Sequence, residues 1–314
     1  MLVNFYIDPD AVDNNTNRYH IDALRSKWQQ FGVLTHPSQE DGGFRDIRRR
    51  FPELNQSIQR IWARVWREIE NDPTRYLRCR DDFSLALVSE ARAQSRRISN
   101  GDSIYLDSDS LGIVEWIRLT EVNASKEFGQ SEDLSRKRID VDDVIVDLWR
   151  ERFQRLARHA RKVVIVDEWA VRADNIEGLI QFLNLLEEDA NGCDVTIYSS
   201  PETELQDEVN AISSRLGGWT PHLNTYGVNS IEVRLRPEDD FRLYAHERHI
   251  RFDNRVVSIG RGMRTFRYAT VREATDTSLT LLPPNVREGK ENDLDEKAYG
   301  LSDFCLLVHV PELT

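Results

Sequence analysis

Apolar and polar positions along the chain follow two rhythms, one of period two and one of period three to four, and their order predicts a mixed α/β protein. Residues 2 to 7 form a short apolar strand that stops at Asp8-Pro9, a turn signal; Ile21 to Phe31 then has helical spacing, so the chain opens as a β-α unit. From Ser57 to Ile69, the residues Ile58, Ile61, Trp62, Val65, Trp66 and Ile69 fall at i, i+3, i+4, i+7, i+8 and i+11. That spacing draws one apolar stripe along a helix and makes its tryptophans core residues. Phe83 to Val88 and Ile104 to Leu106 read as strands, and Gly112 to Val122 as a strand or a short helix. Asn123 to Arg138 is polar and aperiodic, which predicts an exposed loop or linker. A second amphipathic helix carries Ile145, Leu148, Trp149, Phe153 and Leu156 on one side.

Strands and helices alternate again beyond residue 163. Val163 to Val166, Asp194 to Ser200 and Ile231 to Leu235 read as strands, and Leu205 to Leu216 as a helix closed by Gly217-Gly218. This alternation requires a mixed α/β sheet. Leu243 and Tyr244 on one side and Val256, Val257 and Ile259 on the other read as strand, so the polar residues between them are expected around a hairpin. Pro283-Pro284 and the charged run 287 to 297 mark a surface loop before a last strand. With 314 residues, two domains are expected, each able to bury a core: 1–140, unassigned α/β, and 141–314.

Charge narrows the partners. A net charge of −12 opposes indiscriminate attraction to nucleic acid or to an anionic membrane, so a phosphate partner must be met by a local basic cluster. Arginine supplies 36 of the 42 basic residues, a bias of the kind a GC-rich, bacterial genome produces. Cysteines 79, 193 and 305 are widely spaced, with no C-x-x-C pair, so neither a disulfide framework nor a zinc site is expected and a reducing cytoplasm fits. No stretch approaches 18 apolar residues, and the N-terminus lacks the basic and apolar regions of a signal peptide. A cytoplasmic protein is expected, with peripheral membrane contact left open. Phosphate-loop, nucleophile-elbow and H-E-x-x-H motifs do not occur, and no cofactor is expected.

The local basic cluster begins at His246. His246, Arg248, Arg251, Asn254, Gly260, Arg261 and Gly262 combine an imidazole, guanidiniums that suit phosphate oxygens, and glycines that let backbone N–H groups approach an anion. His246, Arg248 and Asp253 form H-x-R-x4-D, one residue type from the H-x-K-x4-D of the phospholipase D superfamily. The longer run resembles the C-terminal domain of MIT-domain-containing proteins, marked by H-D-R-x-I-R-x-x-N-G…I-G-R-G-L-x-x-F. His246, Arg248, Ile250, Arg251, Asn254, Ile259, Gly260, Arg261, Gly262 and Phe266 stand at matching offsets. Val163 to Trp169 resembles that domain's first strand with its acidic turn, Leu179 to Leu186 its first helix and Tyr299 to Leu306 its closing strand, so the likeness covers about half the chain. Glu247 and Arg255 depart from that pattern.

The resemblance implies a phospholipase D-like α/β sandwich that binds acidic phospholipid head groups and has lost hydrolysis. The expected ligand is therefore phosphate-bearing, a lipid head group or a nucleic-acid backbone, and a bacterial accessory or defence role follows by analogy of superfamily. Two other readings compete with this one. If the chain is an enzyme, His246, Arg248 and Asp253 would be catalytic, with Asp253 orienting the His246 ring or pairing with Arg248; hydrolysis from one such motif requires a homodimer. Alternatively the hairpin is structural and the chain is a protein-interaction subunit. In the first half, Asp8, Asp10, Asp107 and Asp109 lie at expected strand ends, and Asp8 with Asp107 offers a weaker option for holding a metal.

Overall fold

The structure is a computed structural model that describes residues 1–36, 45–70, 76–78, 91, 103–108, 113–202, 205–217, 227–244, 248–281 and 305–309. Backbone contacts divide the chain into two compact units, Met1–Asp133 and Leu134–Thr314. The division falls seven residues ahead of the expected boundary at 140, inside a helix.

The first unit holds a five-stranded mixed sheet in the order β3-β2-β1-β4-β5. β1 (Val3–Ile7), β2 (Gly32–His36) and β3 (Tyr76–Arg78) run parallel, while β4 (Ser103–Ser108) and β5 (Ile113–Arg118) continue antiparallel. Every residue of β1 is buried, as a central strand covered on both faces requires. Helix α1 (Arg18–Phe31) lays Trp28 edge-on against Phe5, with ring centroids 5.4 Å apart. A short α2 (Arg45–Arg50) leads to α3 (Gln56–Glu70), whose Trp62 and Trp66 are buried as the stripe predicts. The residues expected as a strand from Phe83 to Val88 lie outside the described residues.

One expectation in this region is met and another corrected. The stretch read as a strand or a short helix, Gly112 to Val122, holds both in succession over its described residues, β5 followed by a 3-10 turn at Leu119–Ala124. The stretch read as a loop or linker, Asn123 to Arg138, contains helix α4 (Lys126–Arg136). Its start is secured by Glu115 of β5, whose carboxylate accepts from Lys126 N at 2.8 Å, Glu127 N at 3.1 Å and Ser125 Oγ at 2.9 Å.

The second unit holds a seven-stranded mixed sheet, β11-β10-β9-β6-β7-β8-β12. Its centre is parallel: β6 (Lys162–Val166), β7 (Cys193–Ser199) and β8 (Val228–Leu235). β9 (His249–Phe252), β10 (Arg255–Ile259) and β11 (Thr277–Leu281) form an antiparallel meander beside β6, and β12 (Cys305–His309) pairs antiparallel with β8. The helices are α5 (Ile145–Leu148), continued by a π-turn at Trp149–Phe153 into α6 (Gln154–His159), then α7 (Ile176–Asp189), α8 (Leu205–Gly217) and α9 (Glu238–Tyr244). Leu243 and Tyr244, expected in a strand, therefore end a helix, whose first turn carries Glu238, Asp239 and Asp240 at the dipole's positive end.

One face of this sheet packs an aromatic core, and Val164, Val166, Tyr198 and Phe241 form a second buried cluster. Register places Val163, Ile165, Ile250 and Phe252 on a common face. Phe153 meets Phe252 at 6.4 Å and Phe266 at 5.7 Å, and Phe182 of α7 meets Phe266 at 5.2 Å. The segment before α5 is tied back to the meander by Arg152, 2% exposed, which donates to Lys137 O at 2.6 Å, Arg138 O at 2.9 Å and Thr277 Oγ1 at 2.8 Å. Among the described residues, no helix is long and apolar enough to cross a membrane.

Candidate functional site

β6 is the strand where the sheet's direction reverses, with parallel β7 on one side and antiparallel β9 on the other. Open α/β sheets bind ligands in crevices beyond the carboxyl ends of their parallel strands, and the carboxyl end of β6 is such an end. His249 pairs with Val166, the last residue of β6, so Arg248 stands next to Asp167. The pair meets at 3.4 Å between Arg248 Nε and Asp167 Oδ1.

Asp167 is buried, at 2% exposure, and its carboxylate is shared. Oδ1 accepts from Trp169 N at 3.0 Å and Oδ2 from Met263 N at 2.7 Å. Burial pushes its carboxyl above the usual range, opposed by those two amides and by Arg248 and Arg172. Met263 N reaches the carboxylate because Gly262 turns at φ +58°; a Cβ there would lie 2.1 Å from Asp167 Oδ2 and 2.7 Å from Arg248 Cδ. Only glycine allows this approach.

Three groups hold Arg248. Besides Asp167, its Nη1 donates to Gly260 O at 2.6 Å, and its guanidinium lies 4.2 Å from the centroid of the Trp169 ring. Nη2 makes no hydrogen bond to a described residue, and the side chain is 22% exposed. Trp169, 39% exposed, also has the Arg172 guanidinium 5.9 Å from its ring. Arg172 Nη2 donates to Ser200 Oγ at 2.8 Å, beyond β7, and pairs with Glu238 at 3.3 Å, at the start of α9. Its hydrogen bond, followed by that of Arg242, holds the Glu238 carboxyl below the usual range. Three strand ends thus contribute to one polar cluster.

The structure sorts the residues singled out by sequence into three places. Arg248, Gly260 and Gly262 meet at the end of β6. Asp253 does not join them, because it occupies the β9–β10 turn at the other end of the strand, at φ +49°. Its carboxylate accepts from Arg161 N at 3.2 Å and Lys162 N at 3.0 Å. Five residues of extended chain, about 16 Å, separate it from Arg248. It therefore does not pair with Arg248, as one reading expected. Asn254 shares that turn, and Arg251, 8% exposed, donates Nη1 to Asp253 O at 2.6 Å, which leaves it a structural rather than a ligand-facing arginine. Arg261 lies elsewhere, paired with Glu273. His246 and Glu247 lie outside the described residues.

Nor does the first unit bring Asp8 and Asp107 together. Asp8 N donates to Ser103 O at 3.2 Å, and the antiparallel ladder, Ile7 to Ile104 and Phe5 to Leu106, carries Asp107 four residues, about 13 Å, toward the opposite end. Asp10 faces Arg50 at 3.7 Å, and Asp109 lies outside the described residues. Among the described residues, no three His, Cys, Asp or Glu side chains converge as a metal site.

Sequence reading assigned no role to Asp167, Trp169, Arg172, Ser200 or Glu238. A strand-end acid followed by an aromatic residue in a polar turn was a signal for the first two. The others are joined only by sheet topology.

A scan against family models and a search of curated proteins return no match. Among solved structures, the chain is similar to TrmBL2, an archaeal chromatin protein whose structure is said to show a novel mode of DNA binding. The two share 10% identity over 88% of this chain and 78% of that one, with a TM-score of 0.25, which supports no inference about fold or ligand.

Proposed function

We propose that the second unit is a phosphate-recognising module of the phospholipase D-like, MIT C-terminal type, with its site at the carboxyl end of β6. The carrying observation is Arg248, fixed by Asp167, Gly260 O and the Trp169 ring while its side chain stays 22% exposed. An arginine held in one orientation loses little side-chain entropy on binding, and its fork matches a phosphate. Asp167 lies beneath it at 2% exposure, so an approaching anion meets the guanidinium first. The ligand is a phosphate group carried by a lipid head group or a nucleic-acid backbone.

Recognition is favoured over hydrolysis by the position of Asp253, which is engaged with backbone amides at the far end of β9 and cannot orient a base near Arg248. The test measures binding of labelled DNA and of phosphoinositide vesicles by wild type, Arg248→Lys and Arg248→Ala. The lysine variant keeps the charge that buried Asp167 needs but loses the fork, and a loss of roughly tenfold is expected, about 1.4 kcal/mol of charge-assisted hydrogen bonding. Unchanged binding in both variants would remove Arg248 from the site. Cleavage of nucleic acid in EDTA that His246→Ala abolishes would replace recognition with phosphodiesterase chemistry.

A further inference from the structure

A second concentration of arginine lies around the 3-10 turn Gly262–Phe266, and its side chains take no part in the Arg248 site. The chain there is pinned by backbone hydrogen bonds: Ala269 O accepts from Ile145 N at 2.9 Å, Val271 N donates to Asp143 O at 2.9 Å, and Asp142 N donates to Val271 O at 2.9 Å. On this fixed backbone Tyr268 keeps 43% of its surface exposed. Burying an aromatic ring is a large gain that the fold forgoes here.

Tyr268 forms one wall of a pocket of about 390 Å³, within the range of roughly 300–1,000 Å³ for small-molecule sites. The guanidiniums of Arg272 and Arg267 lie over its ring, with their central carbons 5.6 and 5.3 Å from the centroid. Arg261 and Arg264 line the pocket together, both paired with Glu273, and buried Val271 gives an apolar surface. Arg267 is taken by Glu177 at 3.0 Å, whereas Arg272 has no ion pair among the described residues. An independent observation also points to a ligand: Thr265 lines the pocket at 5% exposure, and its buried Oγ1 has no hydrogen-bond partner.

We propose that this pocket binds a nucleotide, its base against Tyr268 and its phosphate on Arg272, with Arg261 and Arg264 at the rim and Thr265 Oγ1 bonding a polar atom. An unpaired base has an open π-face for a tyrosine, and the phosphate on the far side of its ribose can reach guanidinium donors. A free mononucleotide and a nucleotide of a single strand share this chemistry; a duplex, whose bases are stacked inside, does not. A lipid head group offers the phosphate but no planar ring. Exposed Val141, Val144 and Val146, of which Val144 bridges to Thr270, make a membrane surface the competing occupant.

The experiment uses the full chain with fluorescein-labelled dT10, unlabelled AMP and inorganic phosphate as competitors, and phosphatidylserine vesicles. Wild type is expected to bind dT10, with Tyr268→Ala reducing affinity between about fivefold and a hundredfold, Tyr268→Phe nearly intact, and Arg272→Ala reduced about tenfold. Competition by AMP marks the free nucleotide as a ligand; binding of dT10 that AMP does not disturb marks the strand. Arg248→Lys tests the other site, and its effect leaves the Tyr268 dependence unchanged. The proposal is overturned if dT10 does not bind, if Tyr268→Ala binds it as well as wild type, if inorganic phosphate competes as strongly as AMP, or if only vesicles bind in a Tyr268-dependent way.

Discussion

His159 ends α6 with three guanidiniums around it, those of Arg255, Arg155 and Arg158, and its ring titrates at about 3 instead of 6.5. Burial is the larger cause and the arginines add to it, so together they outweigh the pull of the helix C-terminus, which favours a protonated imidazole. A depressed folded value means that the unfolded chain binds more protons between those two pH values. The contribution to stability is therefore complete above pH 6.5 and is lost as the pH falls toward 3. One such group changes stability by at most about 1.4 kcal/mol per pH unit, and the solvent-facing edge of His159 reduces that figure. His159→Gln is expected to flatten the dependence of the urea midpoint on pH between 6.5 and 4. A wild-type midpoint already flat there, or a variant as acid-sensitive as wild type, would assign the acid response elsewhere.

Asp253 shows at the scale of an element why residues close in a motif need not be close in the fold. H-x-R-x4-D looks like one constellation in sequence, but β9 is an extended strand that carries its last residue away from its first, so Asp253 closes the far turn against Arg161 N and Lys162 N. Asp253→Ala is expected to lower stability by about 1–2 kcal/mol, the cost of orphaning these amides. Phosphate binding, measured alongside thermal unfolding, should stay within about twofold, and a folded variant that cannot bind would return Asp253 to the site. The rest of the fold follows the same division between local and non-local causes. The α3 stripe, the β6 to β8 strands and the α8 helix with its closing glycine were legible because burial imposes a period on the residues themselves. Helix α4 was not, since its start is held by Glu115 from another strand. Likewise Arg248, Gly260 and Gly262 were legible in one run, while their partner Asp167 is 81 residues earlier and reaches them only through the pairing of β6 with β9.

The whole chain carries −12, yet residues 248–272 contain seven arginines and a single acid, Asp253. The net charge opposes a long polyanion, and this stretch of the second unit is a local exception to it. Within that stretch Arg251 and Arg255 are buried, leaving Arg248, Arg261, Arg264, Arg267 and Arg272 at the surface. Glu273 and Glu177 further occupy three of these five. Few phosphates can therefore be neutralised at once, and the protein is expected to bind a short ligand about as well as a long one. For single strands, log K falls by about 0.7 per phosphate neutralised for each tenfold rise in salt, so one to three contacts predict a slope between about −0.7 and −2. Fluorescence anisotropy with dT10 and dT30 across a salt series measures both quantities. Equal affinity after correction for the greater number of registers on dT30, with a shallow slope, supports local recognition; a slope near −5 or steeper, with affinity growing along the strand, would mean that a continuous basic track binds the polymer and that neither arginine site acts as a discrete phosphate receptor.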